Sequence, residues 1–293
     1  MKTPLSRRSA LGKLAGGAAA LAAAATVPVA RAAENATPGV LRGRIQQSVC
    51  RWCYNQIPFD ALCEAIKGMG LHAVDLLALD ELAAVQKHDL ICPMVHGIPG
   101  GIPRGFNRLE HHDEMIRWLE TAIPQVAKAG FPNVICFSGN RAGMDDEKGL
   151  ENCAVGLKRI VATAEKYQVN VVMELLNSKV NHHDYMCDHS AWGVELCKRV
   201  GSERFKLLYD IYHMQIMEGD IIHTIREIHP YIAHFHTGGV PGRHEIDDTQ
   251  ELYYPAVMRA IVATGYKGYV GQEFIPQGDA LASLRRCVGI CDV

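Results

Sequence analysis

The chain alternates between short apolar runs rich in Val, Ile and Leu and longer stretches in which apolar residues recur every three or four positions. The first pattern predicts buried strands and the second predicts amphipathic helices. Eight strands are predicted, over residues 46–54, 73–78, 91–96, 133–138, 169–177, 205–212, 232–237 and 269–274. A helix is predicted after each strand, over residues 58–69, 80–88, 110–129, 145–167, 188–200, 220–229, 252–263 and 279–288.

This alternation indicates the fold class. Strands that alternate with helices pair in parallel and are joined by right-handed crossovers. Eight such units, in a length close to the ~250 residues typical of a (β/α)8 barrel, favour a closed barrel over an open doubly wound sheet. We therefore predict an α/β protein with a single (β/α)8 TIM barrel over residues 45–293. No predicted strand is followed by a Gly-x-Gly-x-x-Gly turn or a Gly-x-x-x-x-Gly-Lys loop, so the usual nucleotide-binding signatures are missing from the sequence.

The N-terminal stretch has the pattern of an export signal. Two adjacent arginines, Arg7 and Arg8, precede a run rich in Ala, Gly and Leu over residues 14–29. The run closes on residues 30–32, Ala-Arg-Ala, a small-x-small cleavage site. A buried helix and a membrane anchor are the alternatives, but the run is short for a span, is rich in Ala and contains Pro28. The paired arginines favour a twin-arginine signal.

This signal and the charge balance limit the expected location and partners. We predict a twin-arginine signal peptide over residues 1–32 and a polar linker over residues 33–44. The mature protein would then be periplasmic, exported by the twin-arginine machinery, and without a membrane span. The net charge of −2 provides no general attraction to nucleic acid, so no nucleic-acid partner is expected. A homo-oligomer is compatible with the sequence.

Ten cysteines in an exported protein would normally suggest disulfides. Here most of them lie inside apolar strand or helix patterns, which predicts small buried hydrophobic residues instead. Export in the folded state from a reducing cytoplasm fits this prediction. The Cys50-x-x-Cys53 pair, with no second pair of ligands beside it, is weak evidence for a metal or redox site.

Four consecutive predicted strands carry a metal-binding type of residue near the C-terminal end. Glu174, Asp210, His236 and Glu273 each follow a short apolar run. Each residue alone also fits a solvated loop acid or a core histidine bonded to a carbonyl. Together, at matching depths of neighbouring strands whose ends form the active rim of such barrels, they predict one divalent-metal site. Three carboxylates and one imidazole favour Mn²⁺ or Mg²⁺, and Co²⁺ or Zn²⁺ would also fit.

Further polar residues are expected at the same rim and are candidates for contact with a substrate. They are His213, Arg243, His96, Asn177 and Glu245. Arg243 follows Pro and Gly in the loop after the seventh predicted strand, where an arginine holds a carboxylate or hydroxyl groups of a small substrate or simply faces solvent.

These residues lie in segments that resemble the hydroxypyruvate isomerase group, which belongs to the xylose-isomerase-like superfamily of sugar isomerases and epimerases. The resemblance covers essentially the whole predicted mature chain. It is densest in Val-Met-Glu-Leu-Leu-Asn at 172–177, Tyr-Asp-Ile-Tyr-His-Met-Gln at 209–215, His-Phe-His at 234–236, Pro-Gly-Arg-His-Glu at 241–245 and Tyr-Val-Gly-Gln-Glu-Phe at 269–274.

The resemblance implies a TIM barrel that binds one divalent metal through Glu174, Asp210, His236 and Glu273. It also implies that Glu174 and Glu273 transfer protons while His213 and Arg243 contact the substrate. The expected reaction interconverts a small hydroxy-aldehyde and a hydroxy-ketone through an enediolate, because a polarised carbonyl acidifies the adjacent C–H.

Three other functions remain open at this point. The same acids would serve a keto-sugar 3-epimerase, and His236 stands where close relatives of bacterial hydroxypyruvate isomerase commonly carry Gln and keto-sugar epimerases carry His. A metal-dependent phosphodiesterase of the endonuclease IV type shares the barrel, but uses several metals and a basic DNA groove. A non-catalytic exported carbohydrate-binding protein would have no need of the acid pair.

Overall fold

The computed structural model describes residues 41–293. Seven parallel strands, β1–β7, form one sheet in the order β2-β1-β7-β6-β5-β4-β3. Their bounds are Gln46–Cys50, Val74–Asp75, Asn133–Cys136, Asn170–Leu175, Phe205–Asp210, Ile232–Thr237 and Tyr269–Gln272. The predicted signal peptide and most of the predicted linker lie outside the described residues.

The third predicted strand, residues 91–96, is irregular but still occupies its place in the barrel. Parallel bridges join Ile91 to Ala73 and Val95 to Leu77 on one side, and Val95 to Val134 on the other. The segment therefore closes the ring between β2 and β3. The prediction of a regular strand here is wrong, because Pro93 has no N–H for the ladder. The predicted α/β TIM barrel itself is confirmed.

The helices lie between the strands as the alternation predicts. The described residues contain ten α-helices, α1–α10, over Phe59–Lys67, Leu82–Gln86, His112–Ala129, Asp146–Lys158, Val161–Tyr167, Ser190–Val200, Ile211–Met217, Ile221–Ile228, Tyr254–Ala263 and Ala280–Cys291. Short 3-10 turns cover Arg51–Tyr54, Leu79–Glu81, Leu109–His111 and His229–Tyr231.

Two predicted elements are different in the structure. The helix predicted over residues 145–167 is divided into α4 and α5, since Arg159 and Ile160 donate to the carbonyls three residues back and Ile160 turns into the core. The strand predicted over residues 205–212 ends at Asp210. There the Asp210 carboxylate accepts from the backbone N–H of His213 at 3.2 Å and caps α7. The sequence pattern does not predict helix α7.

The core fills the barrel and the layer between sheet and helices. All ten cysteines are buried and unpaired, which confirms their interpretation as small core residues. Among residues 41–293, no helix is long and apolar enough to cross a membrane.

Candidate active site

The four predicted metal ligands converge at the C-terminal end of the barrel. β4 carries Glu174, β5 ends at Asp210, β6 carries His236, and Glu273 directly follows β7. Asp210 and His236 are register partners on adjacent strands. One ligand atom from each of the four residues lies within 4.8 Å of the others, and all four side chains are buried. The barrel thus brings together residues that are up to a hundred positions apart in sequence.

The orientation of the His236 ring is informative. Its Nδ1 lies 2.6 Å from Oε2 of Glu273 and 3.6 Å from Oε1 of Glu174. Within the described part of the chain, this buried nitrogen nevertheless has no partner in hydrogen-bond geometry. A buried polar atom of this kind requires an explanation, and a cation shared with the carboxylates satisfies it. The donor set therefore fits one divalent ion, with three carboxylates and one imidazole as the protein ligands.

A second buried cluster lies behind the ring. Oδ2 of Asp75 is 3.5 Å from Nε2 of His236, accepts from Ser48 Oγ at 2.6 Å and lies 2.8 Å from Nε2 of His234. The Sγ of Cys50 is 3.6 Å from the same Nε2 of His236. Carboxylates that contact the outer nitrogen of a metal-binding histidine fix its tautomer and orientation. Sequence reasoning missed Asp75, although an acid inside an apolar strand was a usable signal.

Gly271 makes this close packing feasible. A Cβ atom at this β7 position would lie 2.3 Å from Oδ2 of Asp75 and 2.7 Å from Cδ2 of His236. Only glycine leaves room for both side chains at this level of the barrel.

Arg243 reaches the cluster from the loop after β6. Its Nη2 donates to Oδ2 of Asp210 at 2.6 Å and also contacts Oε2 of Glu273. Its Nη1 lies 2.9 Å from Nε2 of His213, and its guanidinium group lies 4.8 Å from the ring centre of Tyr212. Arg243 is buried and adopts φ 58°, a conformation that is uncommon outside glycine. The chain thus holds a buried positive charge against two carboxylates.

The surroundings shift the pKa values of the two glutamates in opposite directions. Burial, reinforced by the charge of Glu273, raises the pKa of Glu174 to about 7. Burial acts in the same direction on Glu273, but Arg243 and His236 outweigh it and hold the pKa of Glu273 well below its usual range. The indole N–H of Trp52 donates to Oε1 of Glu273 at 2.6 Å and further fixes that carboxylate. Neighbouring acids with separated pKa values are typical of acid–base chemistry.

The other four predicted substrate contacts differ in whether they line the cavity. His213 and His96 line the cavity above the cluster, together with Glu174, Glu273 and Arg243. Asn177 is fully buried behind His213, with its Nδ2 2.6 Å from Nδ1 of that ring, so it contacts the histidine rather than the cavity. Glu245 lies outside the cavity and accepts from Ser283 Oγ at 2.7 Å and from the N–H of Gln277 at 3.0 Å. The structure therefore places Asn177 and Glu245 outside the cavity lining, and their contact with a substrate stays a prediction.

The cavity has a volume of about 540 Å³. Trp52 and His182 also line it, and neither was singled out as a site residue from the sequence. Trp52 follows β1 in a 3-10 turn that had been predicted as strand. A single sequence carries no signal that would place this indole beside Glu273.

A known protein family matches most of the chain. Residues 63–287 match the family described as "Xylose isomerase-like TIM barrel". Curated relatives include two proteins named "Putative hydroxypyruvate isomerase": one from Danio rerio is 31% identical over 80% of this chain and 90% of its own length, and one from Homo sapiens is 27% identical over 66% and 57%. The hydroxypyruvate isomerase of Escherichia coli (strain K12) is 29% identical over 71% and 82%.

Solved structures show the same fold. An AP endonuclease of family 2 from Brucella melitensis superposes with a TM-score of 0.74 at 24% identity, over 82% of this chain and 97% of that one. The D-psicose 3-epimerase of Clostridium cellulolyticum H10 superposes with a TM-score of 0.64 at 18% identity, over 83% and 90%. The chain belongs to the xylose isomerase-like TIM barrel family. Its named relatives place it among the isomerases of that family.

Proposed function

We propose that this protein is a divalent-metal-dependent isomerase that interconverts a small hydroxy-aldehyde and the corresponding hydroxy-ketone. The observation that carries the proposal is the buried set of Glu174, Asp210, His236 and Glu273, with the unpartnered Nδ1 of His236 directed at the carboxylates. Mn²⁺ or Mg²⁺ suits this oxygen-rich set best. The names of the relatives support the reaction class.

These four residues would hold the ion, which would polarise the carbonyl and hydroxyl oxygens of the substrate and acidify the C–H between them. The protein would supply the proton transfers. One of Glu174 and Glu273 accepts the proton to give an enediolate, and the other returns a proton to the neighbouring carbon. Arg243 and His213, at the base of the cavity, would hold the substrate oxygens and stabilise the developing negative charge.

The remaining expectations on context belong to the same proposal. The N-terminal arginine pair and the apolar run after it support export by the twin-arginine route to the periplasm. The near-neutral charge supports a small hydroxy-carbonyl compound or sugar, rather than nucleic acid, as the partner.

The test is exchange of solvent deuterium into C–H positions of small hydroxy-carbonyl compounds, followed by NMR with Mn²⁺-loaded protein. Label at the carbon next to the carbonyl, together with the isomeric product, is the expected result. An inverted stereocentre without carbonyl migration would instead indicate an epimerase. Glu273→Gln that binds the metal and retains full turnover would overturn the assignment of the proton-transfer pair.

A further inference from the structure

The site of the proposed reaction also carries information on the substrate. We call the end of the cavity that holds Glu174 and Glu273 its reactive base, and the whole cavity is much larger than this end. Its volume of about 540 Å³ lies within the ~300–1,000 Å³ range of pockets that enclose drug-sized ligands. A three-carbon compound held at Glu174 and Glu273 would leave most of this space unfilled.

Beyond the reactive base, the lining is mainly apolar. We call the following six side chains the apolar wall: Ile98, Ile102, Ile135, Phe137, Leu176 and Ile275. They come from the loops and strand ends after residues 91–96, β3, β4 and β7, so the wall surrounds the cavity on several sides. Ile275 is 42% exposed and Trp52 is 40% exposed, so apolar surface continues to the mouth of the cavity. A concave, mainly apolar lining with a few polar groups at one end is typical of a small-molecule site.

The permanent positive charge of the cavity lining is already compensated by carboxylates of the protein. Among the cavity-lining residues that the structure describes, Arg243 is the one side chain with a permanent positive charge, and it is bonded to Asp210 and Glu273. Burial lowers the pKa of His96 and of His182, which favours their neutral forms.

The charges at the base of the cavity do not call for an anion either. Asp75, behind His236, adds a fourth buried carboxylate to those of Glu174, Asp210 and Glu273. Arg243 and one divalent cation would offset three of these four negative charges, before the histidines are counted. A carboxylate or phosphate on the substrate would add a buried charge with no counterion, and such a charge is costly in a desolvated site.

We propose that the substrate is an uncharged hydroxy-carbonyl compound whose non-reacting end is apolar and packs on the apolar wall. This inference rests on the proposed function for the position of the reacting end. It differs from what the names of the relatives suggest, since hydroxypyruvate is a three-carbon anion without an apolar end.

A matched ligand series tests the inference. Hydroxyacetone, 1-hydroxy-2-hexanone and 6-hydroxy-5-oxohexanoate share the reacting group; the second adds three methylenes, and the third replaces the terminal methyl of the second by a carboxylate. Kd is measured by calorimetry on Mn²⁺-loaded protein, and C–H exchange is followed in D₂O. Each buried methylene should tighten binding up to about fourfold. The carboxylate of 6-hydroxy-5-oxohexanoate should weaken binding at least tenfold relative to 1-hydroxy-2-hexanone. Kd values that do not change with chain length, or tighter binding of the carboxylate, would overturn the inference.

A charge placed on the wall gives a second, independent readout. Ile102→Lys should improve binding of 6-hydroxy-5-oxohexanoate and weaken binding of 1-hydroxy-2-hexanone, with unchanged Mn²⁺ affinity as evidence of an intact fold. Leu109→Lys adds the same charge at an exposed position outside the cavity and should change neither Kd. If both variants behave alike, the wall does not select the ligand. Binding that follows the predicted order without any C–H exchange would contradict the proposed reaction and still support the inferred ligand class.

Discussion

Asp75 lies directly behind His236, with its Oδ2 3.5 Å from the Nε2 of the ring, while the Nδ1 on the other side faces Glu273 at 2.6 Å. The ring is thus held between a carboxylate that orients it and carboxylates that would share a cation with it. Four residues would thus contact the metal directly, whereas Asp75 would act on it by orienting His236. The effect of Asp75 on metal affinity can be measured.

Asp75→Asn should weaken Mn²⁺ binding about 10- to 100-fold, because the orienting charge on His236 is lost while the four ligands remain. Titration calorimetry on the metal-free protein measures the effect. Asp89→Asn is the matched control, since Asp89 is highly exposed and pairs with Lys67 across 3.7 Å. Equal Mn²⁺ affinity in the two variants would show that Asp75 does not position the histidine.

Gly271→Ala should destabilise the fold by about 1–3 kcal/mol, because the added methyl group would overlap Asp75 and His236. Gly289→Ala should do the opposite. Gly289 is exposed within α10, nothing lies within 4 Å of a Cβ built there, and alanine is the better helix former by about 0.5–1 kcal/mol. Urea unfolding of both variants gives the comparison, and two shifts of the same sign would contradict this account of Gly271.

Trp52→Phe should lower the rate constant of C–H exchange about 10- to 100-fold. The substitution keeps the aromatic ring and removes the N–H that donates to Glu273 at 2.6 Å, and loss of a hydrogen bond to a charged group costs roughly 1.5–3 kcal/mol. Trp192→Phe removes an indole donor to a backbone carbonyl elsewhere and should leave exchange unchanged. A normal rate in Trp52→Phe would mean that the indole does not tune this carboxylate.

Metal affinity should rise with pH through neutrality. Glu174 has a pKa of about 7 in the metal-free protein, so below pH 7 the cation must displace a proton from it, and above pH 7 it no longer does. The raised pKa of His236, where Cys50, Glu273 and Asp75 outweigh burial, adds a second proton to be displaced. Affinity should change by up to about tenfold per pH unit for each proton released. Calorimetry in buffers of different ionisation enthalpy counts these protons, and a pH-independent affinity between pH 6 and 8 would contradict the prediction.

The barrel could be predicted from the sequence because the patterns that define its strands and helices lie within short segments of the chain. Apolar runs such as residues 169–177 and glycines that end helices, such as Gly201, repeat often enough to define eight units. The sequence pattern gave the wrong element where a single residue interrupts or ends a strand. Pro93 interrupts the third strand, and Asp210 stops a run that continues with the strand-forming Ile211 and Tyr212.

The site was partly predictable for a related reason. Glu174, Asp210, His236 and Glu273 are each unusual within an apolar strand, and parallel strands bring their C-terminal ends to one rim. Trp52 and His182 lie in turns and loops whose paths no periodicity describes. Glu245 follows Arg243 closely in sequence, yet the chain turns between them, so one faces the cavity and the other faces α10.

The most direct test of the central claim is a crystal structure of the Mn²⁺-soaked protein with anomalous scattering data. The account predicts one anomalous peak per chain, within about 2.0–2.3 Å of ligand atoms from Glu174, Asp210, His236 and Glu273, with Nδ1 as the histidine donor. An anomalous peak elsewhere, or no peak while Arg243 stays bonded to Asp210 and Glu273, would contradict it.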